Sequence, residues 1–299
     1  MNDDHAVDRA TGIFVAHRNL LFTVAYEMLG SAADAEDVLQ ETWLRWVDVE
    51  LEQVRDQRAY LVRITTRQAL NRLRAMSRRK ESYIGPWLPD PLLTTPDVAE
   101  DAELAESVSM AVMLVLETLS PTERAVFVLR EVFDVGYDEI AAAVDKTPAA
   151  VRQIAHRARR HVDARRPRTV VSRSETQAAL ESFLRALEGG DLQGLLDVLA
   201  PEVVYMGDGG GVKHAALRPI VGADKVARLL AGSLGRSSVP PVFGPTVVNG
   251  GPALTIHLDG ELDAVIAARA EDGRITGLYV VRNPEKLSRI TSETPLTLR

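Results

Sequence analysis

Five side chains on one helical segment carry the clearest chemistry. Arg152, Gln153, His156, Arg157 and Arg160 share a face opposite Val151, Ile154, Ala155, Ala158 and Val162. Arg and Gln pair bidentately with guanine and adenine edges in the major groove, while flanking cations hold phosphates. Ahead of this face, Tyr137 to Val144 reads as a short helix, Asp145-Lys146 as a tight turn and Thr147-Pro148 as the next helix cap. That is the helix-turn-helix arrangement; the alternative is an ordinary helical hairpin. A second basic helix offers Asn71, Arg74 and Arg78 as DNA contacts, with a solvated face as the alternative. Acid–base candidates are Asp208, His214, His257 and Asp263, since an Asp–His pair can move protons. Their alternative is structural: His257 precedes a hairpin turn and Asp208 sits in a glycine loop.

The chain of 299 residues is 46% hydrophobic and 26% charged, a globular balance long enough for about two domains. It has no Cys, which excludes disulfides, thiolate metal sites and cysteine nucleophiles. Its most apolar stretches, Leu20–Leu29 and Met110–Leu116, are too short to span a bilayer. The acidic start MNDDHAVDRA has no apolar signal core, so a cytoplasmic protein with no membrane partner is expected. No metal site and no cofactor are expected.

The net charge of −7 conceals segregation. Glu27 to Glu52 holds eight acidic residues against Arg45, and Arg55 to Lys80 nine basic against Asp56. Glu81 to Glu106 holds seven acidic residues and no basic ones, and Lys146 to Arg168 eight basic against Asp163. Two basic runs on two modules favour a polyanion contacted at two places.

The elements that must position these groups follow from periodicity. Ile13, Phe14, Leu20, Leu21, Val24 and Met28 predict an amphipathic helix ended by Gly30. Asp34 is expected to cap a second helix that buries Val38, Leu39, Thr42, Trp43, Trp46 and Val47 and exposes Asp37, Gln40 and Glu41. A loop over Val49–Gln57 and a longer basic helix complete this module. Residues 81–106, acidic and carrying four prolines, read as a linker containing the apolar segment Trp87–Leu93. Beyond it come a helix over Val108–Leu119 and a capping box, Ser120-Pro121-Thr122-Glu123. After Arg168 the prediction is α+β: helices over Glu175–Leu187, Leu192–Leu199 and Asp224–Ala231, a strand at Val203–Met206, and four closing strands. Asn249-Gly250, Asp259-Gly260 and Asp272-Gly273 are hairpin turns. Helices on one face of a curved antiparallel sheet are expected.

Two segments resemble region 2 of bacterial extracytoplasmic-function (ECF) sigma factors of the sigma-70 family. They are Asp34-Ala35-Glu36-Asp37-Val38-Leu39-Gln40-Glu41 with Trp43-Leu44, and Tyr60-Leu61 through Asn71-Arg72-Leu73-Arg74. Leu119-Ser120-Pro121, Glu123-Arg124, Leu129-Arg130-Glu131, Tyr137-Asp138-Glu139-Ile140-Ala141 and His156-Arg157-Ala158-Arg159 resemble region 4. The remainder is similar to a SnoaL-like domain of the NTF2-like superfamily. Sigma factors with that extension carry WLPEP, DGGG-Lys and NPDKL marks. Here stand Trp87-Leu88-Pro89-Asp90-Pro91, Asp208-Gly209-Gly210-Gly211 and Asn283-Pro284-Glu285-Lys286-Leu287. Val212 takes the position of the usual Lys, with Lys213 next, and Asp145 replaces the usual Gly of the turn.

The resemblance implies two all-α sigma modules followed by an NTF2-like α+β cone. Its divisions would be 8–80 (region 2), 81–106 (linker), 107–168 (region 4) and 170–292 (SnoaL-like). It implies a promoter-recognition subunit whose partners are the RNA polymerase core (β′ clamp and β subunits) and promoter DNA, nucleoid-associated when bound. Region 2 would contact polymerase through Asp37, Gln40 and Glu41 and the −10 element through Asn71, Arg74 and Arg78. Region 4 would read the −35 element through Arg152, Gln153, His156, Arg157 and Arg160. Trp87 to Pro91, Asp208 to Gly211 and Asn283 to Leu287 would join the C-terminal domain to the linker and sigma modules and regulate in cis, without catalysis. Alternatives are a helix-turn-helix regulator acting without polymerase, and a SnoaL-type cyclase or isomerase fused to a DNA-binding module. A −35 to −10 separation of about 17 steps is near 60 Å, and a linker of about 25 residues reaches as much as ~85 Å.

Overall fold

The computed structural model describes residues 2–95, 98, 101–165, 173–234, 239–290 and 292–298. The chain forms two compact units. One comprises Met1–Glu81, Val112–Arg166 and Pro295–Arg299; the other comprises Ser82–Ala111 and Pro167–Thr294.

The first unit opens with three helices, α1 (Asn2–Leu29), α2 (Ala32–Trp46) and α3 (Gln57–Glu81), with a 3₁₀ turn at Leu51–Gln53 before α3. Gly30 ends α1 at φ +68°. The predicted cap is corrected: Ser31 caps α2, its Oγ accepting from the Asp34 amide at 3.3 Å. Asp34 lies inside the first turn, buried, with its carboxylate 2.6 Å from the Arg72 guanidinium. Trp46 is fully buried and its indole donates to the Ala10 carbonyl at 2.9 Å, while Trp43 is half-buried against Phe14.

The predicted helix over Val108–Leu119 is present as α5 (Met110–Leu116), whereas a short helix not predicted, α4 (Ala102–Ser107), lies mostly within the segment read as linker and belongs to the second unit. Asp101 caps α4 by accepting from the Leu104 amide. The first unit then continues with α6 (Pro121–Phe127), a π-helical turn (Val128–Val132), α7 (Tyr137–Val144) and α8 (Pro148–Asp163). Both halves of the Ser120/Glu123 capping box form, and Thr147 caps α8 by accepting from the Ala150 amide. Asp145 closes α7 in the left-handed region at φ 56°. Leu296 is buried in this unit, and the Thr297 amide donates to Thr23 Oγ1 on α1 at 3.1 Å.

In the second unit, α9 (Arg173–Glu188), α10 (Leu192–Val198) and α11 (Ala223–Leu234) pack on a sheet of β1 (Leu199–Asp208), β2 (Ile220–Val221), β3 (Val242–Val248), β4 (Gly251–Leu258), β5 (Glu261–Glu271) and β6 (Arg274–Val281). The strand order is β2-β1-β6-β5-β4-β3. The antiparallel expectation holds for β3 to β6 and for β1–β2, but β1 runs parallel to β6, so the sheet is mixed. Helix α11 lies between β1 and the final meander, so β1 can meet β6 without a hairpin. Phe183, Leu187, Leu195, Val203, Leu254, Ile266 and Leu278 form the core between helices and sheet. The predicted hairpin turns are present, with Asn249, Asp259 and Asp272 all at positive φ. Strand β2 and a closing helical turn α12 (Pro284–Leu287), capped by Asn283, were not evident from sequence pattern.

Asp145 is not a glycine, and its left-handed backbone is strained. Asp145→Gly is expected to stabilise the protein by about 0.5–1 kcal/mol in urea melts, because Gly populates this region freely.

Candidate functional site

Helix α8 presents Arg152, Gln153, His156, Arg157 and Arg160 on one exposed face, while Val151, Ala155, Ala158 and Val162 are buried behind it. The N-cap and the proline after it fix where the helix starts. Arg159, on the same helix, is already spent: it forms a two-pronged pair with Glu131 at 2.9 and 2.6 Å that raises its pKa. This pair ties α8 to the π-helical turn. Arg152 lies 5.7 Å from the Tyr137 ring centroid, and Arg130 lies 5.0 Å from the same ring. Arg157 comes only within 3.9 Å of Glu123 and is 60% exposed. Four of the five predicted groups therefore have little to hold them back from a ligand, and the fifth rests on an aromatic ring.

On α3, Asn71, Arg74 and Arg78 are exposed, but the intervening Arg72 is not available. Its guanidinium is bound by Asp34 and Asp37, each at 2.6 Å. Burial works against its charge, yet these carboxylates leave its pKa raised. Asp37, predicted to face a protein partner, thus spends one oxygen on Arg72 while staying about half exposed. Gln40 and Glu41 are exposed, and Leu44 beside them is 62% exposed.

The linker motif, the glycine loop and the C-terminal motif meet within the second unit. Asp208 is buried at the end of β1. One carboxylate oxygen accepts from the Tyr83 hydroxyl and from the Gly210 amide at 3.0 Å; the other accepts from the Leu88 amide at 3.1 Å and pairs with Lys286 at 2.9 Å. Lys286 is itself buried, donates to the Leu88 carbonyl, lies 3.8 Å from Asp90 and stands 3.7 Å above the Trp87 ring. Asn283 donates to the Tyr83 hydroxyl at 2.9 Å. The glycines follow from this crowding: a Cβ on Gly209 would lie 2.1 Å from the Lys213 carbonyl, and one on Gly210 2.5 Å from Asn283. Pro89 and Pro91 are buried with the motif, whereas Gly211, Pro284 and Glu285 stay exposed. Burial and the Asp208 carboxylate push the Tyr83 hydroxyl pKa far up, so it stays a donor.

A second anchor escaped sequence reasoning. Asn249, read only as a turn residue, is buried; its amide donates to the Leu92 carbonyl at 2.9 Å and its side-chain oxygen accepts from the Leu92 amide at 3.0 Å. Its amide nitrogen donates to the Val108 carbonyl at 3.0 Å. Thr94 adds main-chain pairing to Val247, and Leu93 accepts from Thr294. A buried hairpin turn is the unusual feature, and burial is not readable from an Asn-Gly pair.

The acid–base candidates do not assemble. Asp208 is occupied as above. Asp263 holds Lys213 at 2.9 Å and Arg282 at 2.7 Å, while His214 is exposed and offers only its carbonyl, to Arg282. Among the described residues no hydrogen bond joins His214 or His257 to Asp208 or Asp263. No group of three or more potential metal-ligating residues occurs among them either. No described helix is long and apolar enough to cross a membrane.

The helical unit and its basic helix-turn-helix define a sigma-70-type protein: the model for Sigma-70 region 2 matches residues 13–79, and that for Sigma-70, region 4 matches residues 109–162. The ECF RNA polymerase sigma factor SigJ of Mycobacterium tuberculosis is 36% identical over 291 residues, covering 92% of each chain. The probable ECF RNA polymerase sigma factor SigI of the same species is 31% identical, covering 96% of this chain and 97% of its own. The crystal structure of SigJ superposes with a TM-score of 0.74 at 32% identity, over 93% of this chain and 98% of that one. The chain belongs to the ECF RNA polymerase sigma factors, a family that binds RNA polymerase and promoter DNA. The match to SigJ extends through the C-terminal mixed-sheet domain.

Asp208→Ala is expected to cost roughly 3–5 kcal/mol in urea melts, because it strands the Lys286 ammonium away from water. Limited proteolysis should then cut within residues 82–95, which the full chain protects. Asp263 supplies a pH dependence. Burial raises its pKa, but Lys213 and Arg282 outweigh this and leave it lowered. Its contribution is therefore complete above the unfolded carboxylate pKa and fades as pH falls through the lower folded value. Asp263→Asn should flatten that acid limb in melts taken from pH 6 downward.

Proposed function

We propose that α8 reads the −35 element through Arg152, Gln153, His156, Arg157 and Arg160, and that α3 contacts the −10 element through Asn71, Arg74 and Arg78. One observation carries the reading: the arginines of this set stay exposed, while Arg72 and Arg159 beside them are paired with carboxylates. A merely solvated basic face would not need that division. Exposed Gln40 and Glu41, with Asp37 and apolar Leu44, suit a basic protein surface, which we assign to the β′ clamp of polymerase. Residues 8–80 and 107–168 act as the two promoter-binding modules, and the protein works on the nucleoid when bound to polymerase.

The C-terminal domain acts as a cis regulator and not as an enzyme. Support for this comes from the linker, which is bonded to it at Asp208, Lys286 and Asn249 and so cannot serve as a free strap. Fully extended, about 25 residues would supply up to ~85 Å. Docked, they supply much less, so the domain sets how far the promoter modules can separate.

In transcription with core polymerase, Arg152→Ala with Arg157→Ala should lower −35-dependent initiation by roughly ten- to hundredfold while polymerase binding persists. Loss of polymerase binding instead would assign those arginines to a protein contact. Asn249→Gly, which removes the side-chain bonds to Leu92 and Val108 while keeping the left-handed turn, should change run-off output; unchanged output would remove the regulatory role from the domain.

A further inference from the structure

Among the five groups on the α8 face, Arg152 has a setting of its own. Its guanidinium stands over the Tyr137 ring, 5.7 Å from the centroid and within cation–π range. Tyr137 is the first residue of α7, half-buried, with Gly136 as the N-cap before it. A second guanidinium, that of Arg130, lies over the same ring at 5.0 Å. Arg130 is tied down: its Nη1 is held by the Asp134 carboxylate at 2.8 Å and donates to the Val135 carbonyl at 3.2 Å. Asp134 turns the chain at φ 46°, so this anchor belongs to the loop ahead of α7. Arg152 is exposed, and among the described residues its charge meets this ring and no carboxylate.

The two kinds of contact differ in what they leave over. An ion pair uses the in-plane N–H donors of an arginine, the same donors that a guanine edge takes up. An aromatic ring attracts the guanidinium without consuming a donor. Arg130 and Arg159 spend donors on Asp134 and Glu131, whereas Arg152 is steadied with its donors unspent. A long side chain free in solution loses rotamer freedom when it docks on a base; one already resting on a ring loses less.

We propose that Tyr137 is a positioning residue for promoter recognition. Its ring holds Arg152, near the N-terminal end of α8, in the pose that presents two donors to a guanine of the −35 element. Arg130, fastened to Asp134, keeps the ring in place. This role rests on the reading face assigned above and adds to it a residue of α7 that touches no base. It also assigns Arg152 to a G·C pair, since the planar fork matches guanine O6 and N7.

The test uses holoenzyme assembled from the full-length protein and core polymerase, with a promoter selected by it from duplexes randomised in the −35 element. Replacing the guanines of that element one at a time by 7-deazaguanine, which lacks the N7 acceptor, locates the base that Arg152 reads. At that base the native chain should bind roughly fivefold more weakly, and Arg152→Ala should show no such loss. Tyr137→Leu should weaken binding to the unmodified promoter by roughly two- to fivefold, the size of an exposed cation–π contact. Tyr137→Phe retains the ring and should restore the affinity. In an Arg152→Ala background Tyr137→Leu should cost nothing further, a result that a role in folding would not produce. Unchanged binding by Tyr137→Leu overturns the proposal, and so does tighter binding, because the ring would then hold Arg152 back from the base. An equal loss in Tyr137→Phe also overturns it, by marking the hydroxyl as a phosphate contact. So does a double variant at least about threefold weaker than Arg152→Ala alone. A 7-deazaguanine pattern identical in the native chain and in Arg152→Ala would instead refute the reading face.

Discussion

A buried ammonium that has to be matched on every side organises the second unit. Lys286 cannot leave water without a counter-charge, and Asp208 provides it. Asp208 then has lone pairs left over, which are filled by the Tyr83 hydroxyl and the Leu88 and Gly210 amides. The linker is thus part of the solution to a desolvation problem, and its Trp87 ring lies against the same cation. Three motifs far apart in sequence become one network, and the glycines are the space that the network needs. The conservative departures in this chain fit: Asp90 still reaches toward Lys286, and Glu285 faces solvent. Lys213, one place late, finds Asp263, while Val212 takes the exposed position.

The first unit solves a different problem with the same chemistry. Several cations of its basic runs are bonded internally. Arg72 serves α2, Arg159 serves the π-helical turn, and Lys80 and Arg124 serve Glu117. What remains outside includes exposed groups at helical spacing on α3 and α8. Selective neutralisation of this kind lets a chain of net charge −7 display two cationic faces without becoming a general polyanion binder.

Local chemistry made much of this legible in advance. The capping box at Ser120, the left-handed turn at Asp145 and the cap at Thr147 obey short-range rules, and their helices are where periodicity put them. Ser31 and Asp34 are both acceptable caps, and the choice between them was decided by Arg72, a partner 38 residues away. The parallel pairing of β1 with β6 is also non-local, so alternation within each strand could not reveal it. Asn249 was visible as a turn but not as an anchor, because its burial depends on a linker far earlier in the chain. Arg124 stood in the sequence only as part of the region 4 motif; the Glu27 carbonyl to which it donates lies 97 residues before it.

A sigma factor gains affinity from two weak contacts only when their spacing matches the promoter, since the second contact is then effectively intramolecular. Spacing is therefore a more economical control point than either reading face. Burying a base-reading arginine would require matching its charge, whereas restraining the distance between two exposed faces requires only that a linker be bonded or two modules be packed. The linker is bonded at Asp208, Lys286 and Asn249, which leaves less of it as free chain. The linker bonds use none of the exposed side chains of α3 and α8.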